Sequence, residues 1–553
     1  MNAAQVVVIG SGPGGAAIAW SLAASGVRVR ILEAGPRYRP TEDYRLRHND
    51  WEQQGFPAKV PAEGRQTHAP LQGLDQRWDE LRSWNHLKGR AVPFPGRHFA
   101  GYRHVVGVGG TTLHYTGESQ RLHPAAMQMH RRFGVAADWP FDYDELEPFY
   151  VQAENGIGVA GPANDPSRPR SAPYPMPPHP LSFASQRLAG GFRELGLTMI
   201  ANPVAANSTA YDGRPACNYC GQCVRGCPRL DKGTADLTYI PRALATGNCT
   251  LDALSPVIRL EAGPDDRVRA AIYVDAEGTT QRAEADMFVL ACGAVETPRL
   301  LLNSAGPHAP SGLANESGQV GRNFMETLFW VSSGLHPEPL GSHRGLPSDG
   351  VCWDYNAPDA VPGIIGGVRF SPKTIEIDFG GPINYATRVV GGWGAAHKAA
   401  MRAQFGRVLS IGGVGESLPN PGSYVDLDGE ARDAHGMPRA RIHSRLDETE
   451  IRRLAFIAKT CRAALEAAGV EKRIEEFGAY DMFNATHVFG TCRMGTDPET
   501  SVVDEYCRSH RWRNLLVTDA SIFPSSGGGE APSLTIYANA LRAAHYLKAQ
   551  GIR

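Results

Sequence analysis

The sequence predicts an α/β protein of two domains, one wound around a parallel sheet and one built on an antiparallel sheet. Two observations carry this reading. Residues 6–33 run strand, glycine-rich turn, helix, strand (VVVIG, GSGPGG, AAIAWSLAASG, VRVRILEAG), which is the order of a βαβ unit. Residues 326–445 mix short strand-like runs with turns and suit an antiparallel sheet. A chain of 553 residues is long enough for two or more folded units, each with its own buried core.

The remaining segments follow in order. Residues 36–100 are rich in Pro, Arg, Trp and His with little periodicity and read as excursions over the surface. Gly107–Gly110 form a second glycine-rich stretch, and residues 161–182 turn to Pro and Ser, the composition of an extended arm. Residues 267–292 read as a hairpin followed by a buried strand, residues 447–469 as an amphipathic helix, and residues 533–549 as a closing helix. The 62 Gly and 41 Pro show no collagen-like period, so they mark turns and close backbone approaches.

Composition excludes several classes. With 42% apolar and 20% charged residues the chain is not disordered as a whole. A net charge of −1, from 56 basic and 57 acidic residues, offers no footprint for phosphate backbones, so no nucleic acid partner is expected. No apolar run reaches the ~18–20 residues that span a bilayer, so no intrinsic membrane segment is expected. The start MNAAQVVVIG lacks a basic n-region and a twin arginine, which predicts a cytoplasmic chain with no export signal of its own. Ten Cys are too few for a disulfide scaffold, but Cys217, Cys220, Cys223 and Cys227 are crowded together, and clustered thiols read as metal or redox chemistry.

Gly10, Gly12, Gly14 and Gly15 follow a strand and open a helix, and Glu33 ends the next strand 23 residues after Gly10. Glycines let the backbone approach a pyrophosphate, the helix N-terminus offers amides and a positive dipole end, and the acid accepts hydrogen bonds from a ribose diol. The chain is therefore expected to bind a dinucleotide. This motif alone does not separate NAD from FAD.

Further segments resemble the glucose–methanol–choline (GMC) family of FAD-dependent oxidoreductases. Gly107-Val-Gly109-Gly110-Thr111-Thr112-Leu-His114 is similar to the family's first flavin-contacting loop. Gly293 through Thr297-Pro298 to Ser304 fits its second signature, except for Ala305 where Gly is usual. His487-Val-Phe-Gly490-Thr491-Cys-Arg-Met-Gly495 resembles the catalytic His segment, and Val517-Thr-Asp519-Ala520 through Pro524 the terminal flavin-binding strand. The matches run from residue 6 to the C-terminus in family order. Trp139-Pro140, Asp144 through Tyr150, Pro173 through Pro178, and Asn207-Ser208 with Tyr211 through Pro215 resemble the branch of bacterial sugar and polyol dehydrogenases that carry an iron–sulfur cluster.

The resemblance implies a Rossmann-like FAD-binding domain (the GMC fold) and a substrate domain on an antiparallel sheet. The FAD-binding domain would comprise residues 1–150, with the excursion at 36–100, then residues 191–325 with a cysteine loop at 216–228, and finally residues 487–553. The substrate domain would take an extended arm at 151–190 and residues 326–486. FAD would contact Gly10, Gly12, Gly14, Gly15, Glu33, Gly109, Gly110, Thr111, Thr112, His114, Asp519, Ala520, Ser533, Leu534 and Thr535. The helix starting near Ser533 would aim its N-terminus at flavin N1 and the C2 carbonyl. His114 would either attach the flavin 8α-methyl covalently or pack beside it.

The spacing Cys217-x2-Cys220-x2-Cys223-x3-Cys227-Pro228 is the run of bacterial ferredoxins, and continuous short gaps suit an iron–sulfur cluster better than zinc. The related dehydrogenases use a C-x5-C-x3-C subset, which falls on Cys217, Cys223 and Cys227 and implies a 3Fe–4S cluster. Cys220 is then either a fourth ligand, giving 4Fe–4S, or a bystander. A cluster would pass electrons singly from the flavin to an external acceptor such as a cytochrome. Relatives also travel with a small chaperone-like subunit, which allows periplasmic co-export.

His487 matches the family's active-site base, which takes a hydroxyl proton while hydride leaves the carbon. The family commonly places Asn or His just before the final helix, where this chain has Ala531 in Gly527-Gly-Gly-Glu530-Ala531-Pro532-Ser533. Glu530 is the expected replacement as second catalytic residue. Gly321-Arg322-Asn323 is followed by Phe-Met-Glu326-Thr327, where Asp-His is frequent. The expected reaction is oxidation of a sugar, glycoside, amino-sugar or polyol hydroxyl to a carbonyl. The alternatives are an alcohol oxidase that uses O2, or a lyase on the same fold with structural FAD.

Overall fold

Five parallel strands form the first sheet, in the order Leu515–Val517, Met287–Leu290, Val6–Ile9, Val29–Leu32 and Cys249–Asp252. The computed structural model describes residues 4–44, 52, 66–93, 95–163, 165 and 167–551. Residues 45–51, 53–65 and 94 of the expected excursion, and residues 164 and 166 of the Pro-rich arm, lie outside the described residues. Val6, Val7, Val8, Phe288, Val289 and Leu290 are completely buried, as strands covered on both faces must be. The strand order reverses at Val6–Ile9, so the crevice for a ligand opens at the carboxyl ends of the strands.

The helix Pro13–Ala23 packs against the final helix, Ser533–Gln550, which in turn packs on the helix Tyr143–Ile157. The last of these crosses the expected domain boundary at residue 150. Its apolar stripe, including Leu146, Tyr150 and Ala153, belongs to the core of the parallel-sheet domain. The hairpin expected in residues 267–292 is present as Val268–Val274 and Thr280–Glu284, and Met287–Leu290 is the buried strand that follows.

The second domain holds an eight-stranded sheet. Its order is Gly89–Arg90, Trp84–Asn85, Lys472–Gly478, Leu328–Leu335, Val408–Gly415, Val368–Pro372, Gly350–Cys352 and Met199–Ala201, antiparallel throughout. The helix Glu448–Ala467 lies across it, opened by a capping box between Asp447 and Glu450. Leu454, Ile457, Ala458 and Cys461 supply its buried stripe at helical spacing.

Three short strands at the two ends of this sheet, Gly89–Arg90 and the adjoining Trp84–Asn85 at one end and Met199–Ala201 at the other, come from stretches that the sequence assigned to the FAD-binding domain. Residues 84–90 are thus part of a sheet and not only a surface excursion. Short edge strands of two or three residues have no readable period, which is why sequence alone misplaced them. The strands Tyr424–Arg432 and Pro438–His443 also leave the large sheet, pairing with each other, and Pro438–His443 pairs in turn with Gln66–His68. The described part of the Pro-rich arm, 161–182, has no helix or strand, but Tyr174 and Met176 are buried and Arg168 is fully so. It is docked against the body, not extended into solvent.

Candidate active site

A cavity of about 720 Å3 runs from the glycine-rich turn to the wall of the antiparallel sheet. At its nucleotide end Gly10 has φ +96°, and a Cβ there would lie 2.5 Å from the Ala291 carbonyl oxygen. A Cβ on Gly14 would meet the Thr518 carbonyl oxygen at 1.9 Å, so this glycine is what lets the first helix seat on the last strand. Gly110 reaches Gly12 so closely that its own Cβ would be 2.8 Å from the Gly12 Cα. The helix Pro13–Ala23 has no side-chain cap, so its first amides face the cavity unsatisfied. Ser11 donates to Glu33 from its backbone N (2.9 Å) and hydroxyl (2.6 Å), and Gly35 N donates at 2.9 Å, which fixes the buried carboxylate at its strand end. Such a cradle, with Gly10, Gly12, Gly14 and Gly110 along the cavity beside an uncapped helix N-terminus, fits the dinucleotide FAD.

Of the expected cofactor residues, Gly10, Gly12, Gly14, Glu33, Gly110, Thr111, Thr112, His114, Asp519, Ala520 and Ser533 line this cavity. Gly15, Gly109, Leu534 and Thr535 do not. Gly15 packs against the Gly10 carbonyl, Gly109 turns the chain at φ +106°, Leu534 is buried in the core, and the Thr535 hydroxyl bonds Tyr150 at 2.8 Å. Asp519 also organises the site: it accepts hydrogen bonds from Gly293 N (2.9 Å) and the Thr297 hydroxyl (2.6 Å), tying the second signature to the last strand. The final helix begins without a side-chain cap and with no acid in its first turn, so its positive end stays free to face the cavity.

His487 stands at the other end, half-buried, just past the strand Met482–Ala485. Thr327 holds its backbone: the Thr327 hydroxyl accepts from His487 N at 2.8 Å and donates to His487 O at 3.0 Å. Among the described residues neither ring nitrogen has a protein partner. Burial, then the Arg369 and Lys373 charges, push the imidazole down to about 4, with Glu118 opposing them. The imidazole is therefore held neutral at pH values above that. The unusual Glu326-Thr327 now has an account, since Glu326 forms a buried ion pair with Arg97 and accepts from the Ser444 hydroxyl, which anchors Thr327 beneath the His.

Glu530 does not reach the cavity wall; Ala531 does. The Glu530 carboxylate is buried, pairing with Arg168 at 2.8 Å and accepting from His123 N at 3.2 Å. Gly527 and Gly529 have φ of +75° and +97°, and a Cβ on Gly529 would lie 2.2 Å from the Val414 carbonyl oxygen. With its carboxylate paired to Arg168 and off the cavity wall, Glu530 does not stand where the expected second catalytic residue would. Glu530→Gln should leave the Arg168 guanidinium buried without a counter-charge and cost about 3 kcal/mol. Thermal melting should show this loss, while the rate of flavin reduction per bound flavin should stay within about threefold of wild type.

The cysteine loop lies behind the flavin-side turn. Cys223 and Cys227 are buried, Cys217 is half-buried and Cys220 is exposed. The Cys217 sulfur accepts from Tyr219 N at 3.4 Å, and the Cys227 thiol donates to Asp231 at 3.5 Å. Burial pushes all four thiols up, Cys217 to about 12. Among the described residues no group of three or more Cys, His, Asp or Glu side chains is gathered to hold a metal ion. The expected set Cys217, Cys220, Cys223 and Cys227 is thus near-neighbouring in the fold but not assembled as ligands. The buried Lys232 joins this loop to the flavin side, donating to the carbonyls of Cys223 (2.8 Å), Leu113 (3.0 Å) and Tyr115 (2.9 Å), on either side of His114.

Sequence reasoning missed Glu118, Thr327, Arg369 and Lys373, all on the wall near His487. None belongs to a local motif, and only the anomaly at Glu326-Thr327 signalled any of them.

Comparison with known proteins agrees with this geometry. Models described as GMC oxidoreductase match residues 106–328 and 419–540, and a model of an NAD(P)-binding Rossmann-like domain matches residues 8–48. The chain is 29% identical to 2-methyl-1,2-propanediol dehydrogenase of Mycolicibacterium austroafricanum, covering 98% of this chain and 95% of that protein. It is 30% identical to paromamine 6'-oxidase of Streptomyces fradiae, covering 79% and 77%. Among solved structures, formate oxidase of Aspergillus oryzae superposes with a TM-score of 0.64 at 15% identity, over 99% of this chain and 98% of that one.

Proposed function

The chain belongs to the GMC oxidoreductase family, and from that premise we propose that it oxidises a polyol or carbohydrate hydroxyl to a carbonyl with His487 as the base. The family chemistry is FAD-dependent oxidation of CH–OH groups, in which bound FAD supplies the hydride acceptor. One observation carries the assignment of His487: a neutral imidazole whose ring nitrogens have no partner among the described residues shares one cavity with the dinucleotide cradle. A ring nitrogen takes the hydroxyl proton, and Thr327 holds the backbone of His487 from both its N–H and its carbonyl. The charged wall of Glu118, Arg369 and Lys373 offers the dense hydrogen bonding that a polyhydroxylated molecule needs. The names of the two relatives, a diol dehydrogenase and an amino-sugar oxidase, support the same substrate class.

For the electrons, direct return from the flavin to O2 is the reading supported best, by the oxidase relative and by thiols that are not gathered as ligands. The second reading is a relay through an iron–sulfur cluster on Cys217, Cys220, Cys223 and Cys227 to an external acceptor, favoured by the ferredoxin-like spacing. The cytochrome and the small accompanying subunit belong to that second reading. Mixing the purified flavoprotein anaerobically with 1,2-propanediol, D-glucose, D-fructose, gluconate or paromamine should bleach the flavin with at least one of them, and bleaching by none would remove the oxidoreductase reading in favour of the lyase. Admitting air should restore the flavin within seconds and yield one peroxide per turnover. Slow reoxidation, together with stoichiometric iron and acid-labile sulfide, would transfer the assignment to the relay.

A further inference from the structure

We propose that Arg369 is the second substrate-contacting group of the reaction, donating a hydrogen bond to the substrate oxygen as His487 removes its proton, and that Glu118 positions it. The inference rests on the CH–OH oxidation proposed above and supplies the group that neither Ala531 nor Glu530 provides.

Arg369 lies on the strand Val368–Pro372, opposite Val414, and both residues line the cavity with His487. Its guanidinium is fully buried apart from that cavity. Nε donates to the Gly529 carbonyl, Nη1 donates to Ser371 Oγ (3.1 Å) and Glu118 Oε1 (3.3 Å), and Nη2 donates to Glu118 Oε2 (2.5 Å). Five N–H groups thus meet four acceptors, and among the described residues one Nη2 hydrogen has none. A buried donor left open at a cavity wall is costly unless a ligand completes it.

Glu118 is held as firmly. Asn202 Nδ2 donates to its Oε1 at 3.2 Å, and Lys373 Nζ, itself 2.5 Å from Glu376, stands 3.7 Å away. Asn202 in turn accepts from Gln120 Nε2 at 2.8 Å, and Gln120 accepts from Ala531 N at 2.9 Å. The chain of bonds therefore closes a ring, from Gly529 O through Arg369, Glu118, Asn202 and Gln120 back to Ala531 N. It clamps both sides of the turn that leads into the final helix, so Arg369 and the floor of the flavin site share one rigid frame.

The chemistry needs such a donor. When the O–H bond breaks toward His487 and the C–H pair leaves as hydride, the C=O bond forms from an oxygen that carries negative charge in between. A preorganised guanidinium N–H stabilises that charge where a neutral wall would not. Burial first, and then this same positive charge, keeps the imidazole unprotonated before reaction.

The test uses the flavin-loaded enzyme with whichever alcohol of the panel bleaches wild type fastest. Arg369→Lys keeps the charge but loses the fork, and should slow anaerobic flavin reduction by about 10²–10³-fold at unchanged flavin content. Its acid limb should stay near that of wild type. Arg369→Ala should be slowed at least as much, its acid limb should move up, and added guanidinium ion should restore at least tenfold of the rate. Glu118→Gln loosens the fork of Arg369 and should slow reduction by about tenfold, less than Arg369→Lys because Gly529 and Ser371 still hold part of it, and its acid limb should move down. Near-wild-type reduction in Arg369→Lys, no rescue of Arg369→Ala, or a larger loss in Glu118→Gln than in Arg369→Lys would each overturn the proposal. Wild type bleached by no alcohol would instead defeat the functional reading beneath it.

Discussion

Replacing His487 by Ala should slow flavin reduction by an alcohol by about 10²–10⁴-fold, the range lost with a positioned general base. Flavin content should not change, because the cradle around Gly10, Gly14 and Gly110 lies at the other end of the cavity. The pH profile is the sharper measurement. A base works in its neutral form, and burial beside Arg369 and Lys373 holds His487 down to about 4. Activity should therefore be flat through neutral pH and fall only as the pH drops through about 4, where an ordinary His would lose it near 6.5. Lys373→Met removes one of the two opposing charges and should move that limb upward. A limb at 6.5 in wild type would mean that the imidazole is solvated and that the cavity does not exclude water as drawn.

The second large effect belongs to the other end of the site. Gly14→Ala should give a chain that purifies without flavin and melts well below wild type. The added Cβ would sit 1.9 Å from the Thr518 carbonyl oxygen, a backbone atom that cannot rotate aside. Relief requires the first helix to lift off the strand Leu515–Val517, which costs at least the ~1–3 kcal/mol of an overpacked core and moves the amides meant for the pyrophosphate. Gly26→Ala is the control: it has a positive φ, +85°, which Gly14 lacks, but nothing lies within 4 Å of its Cβ. It should keep its flavin and lose only the cost of a left-handed alanine, about 1 kcal/mol. Absorbance at the flavin band relative to protein, read beside a thermal melt, separates the two variants.

Near-complete burial of polar groups around the site also explains how different the two carboxylates of this region are. Glu118 and Glu530 both pair with a buried arginine, yet only Glu118 faces the cavity. The sequence pointed to Glu530 because it adjoins the final helix. Distance along the chain was a poor guide, since the Glu530 carboxylate is held by Arg168 and His123 N, which lie far from it in sequence. Glu118 and Arg369 are 251 residues apart and meet only because the sheet brings them together.

What the sequence determined by itself was the parallel sheet's first βαβ unit, the dinucleotide cradle, the two long helices at 448–467 and 533–550, the family and the place of His487. Each of these is local. A glycine-rich turn between strand and helix needs only its own backbone to be made, and an amphipathic helix shows its period over a few turns. The tertiary structure alone decided the ownership of the short strands at the ends of the large sheet, the burial of Glu530 against Arg168, the arrangement of the four clustered thiols and the charged wall of Glu118, Arg369 and Lys373. Those depend on which distant segments pack together, and packing is settled by burial and polar pairing across the whole fold, quantities that no local spacing encodes.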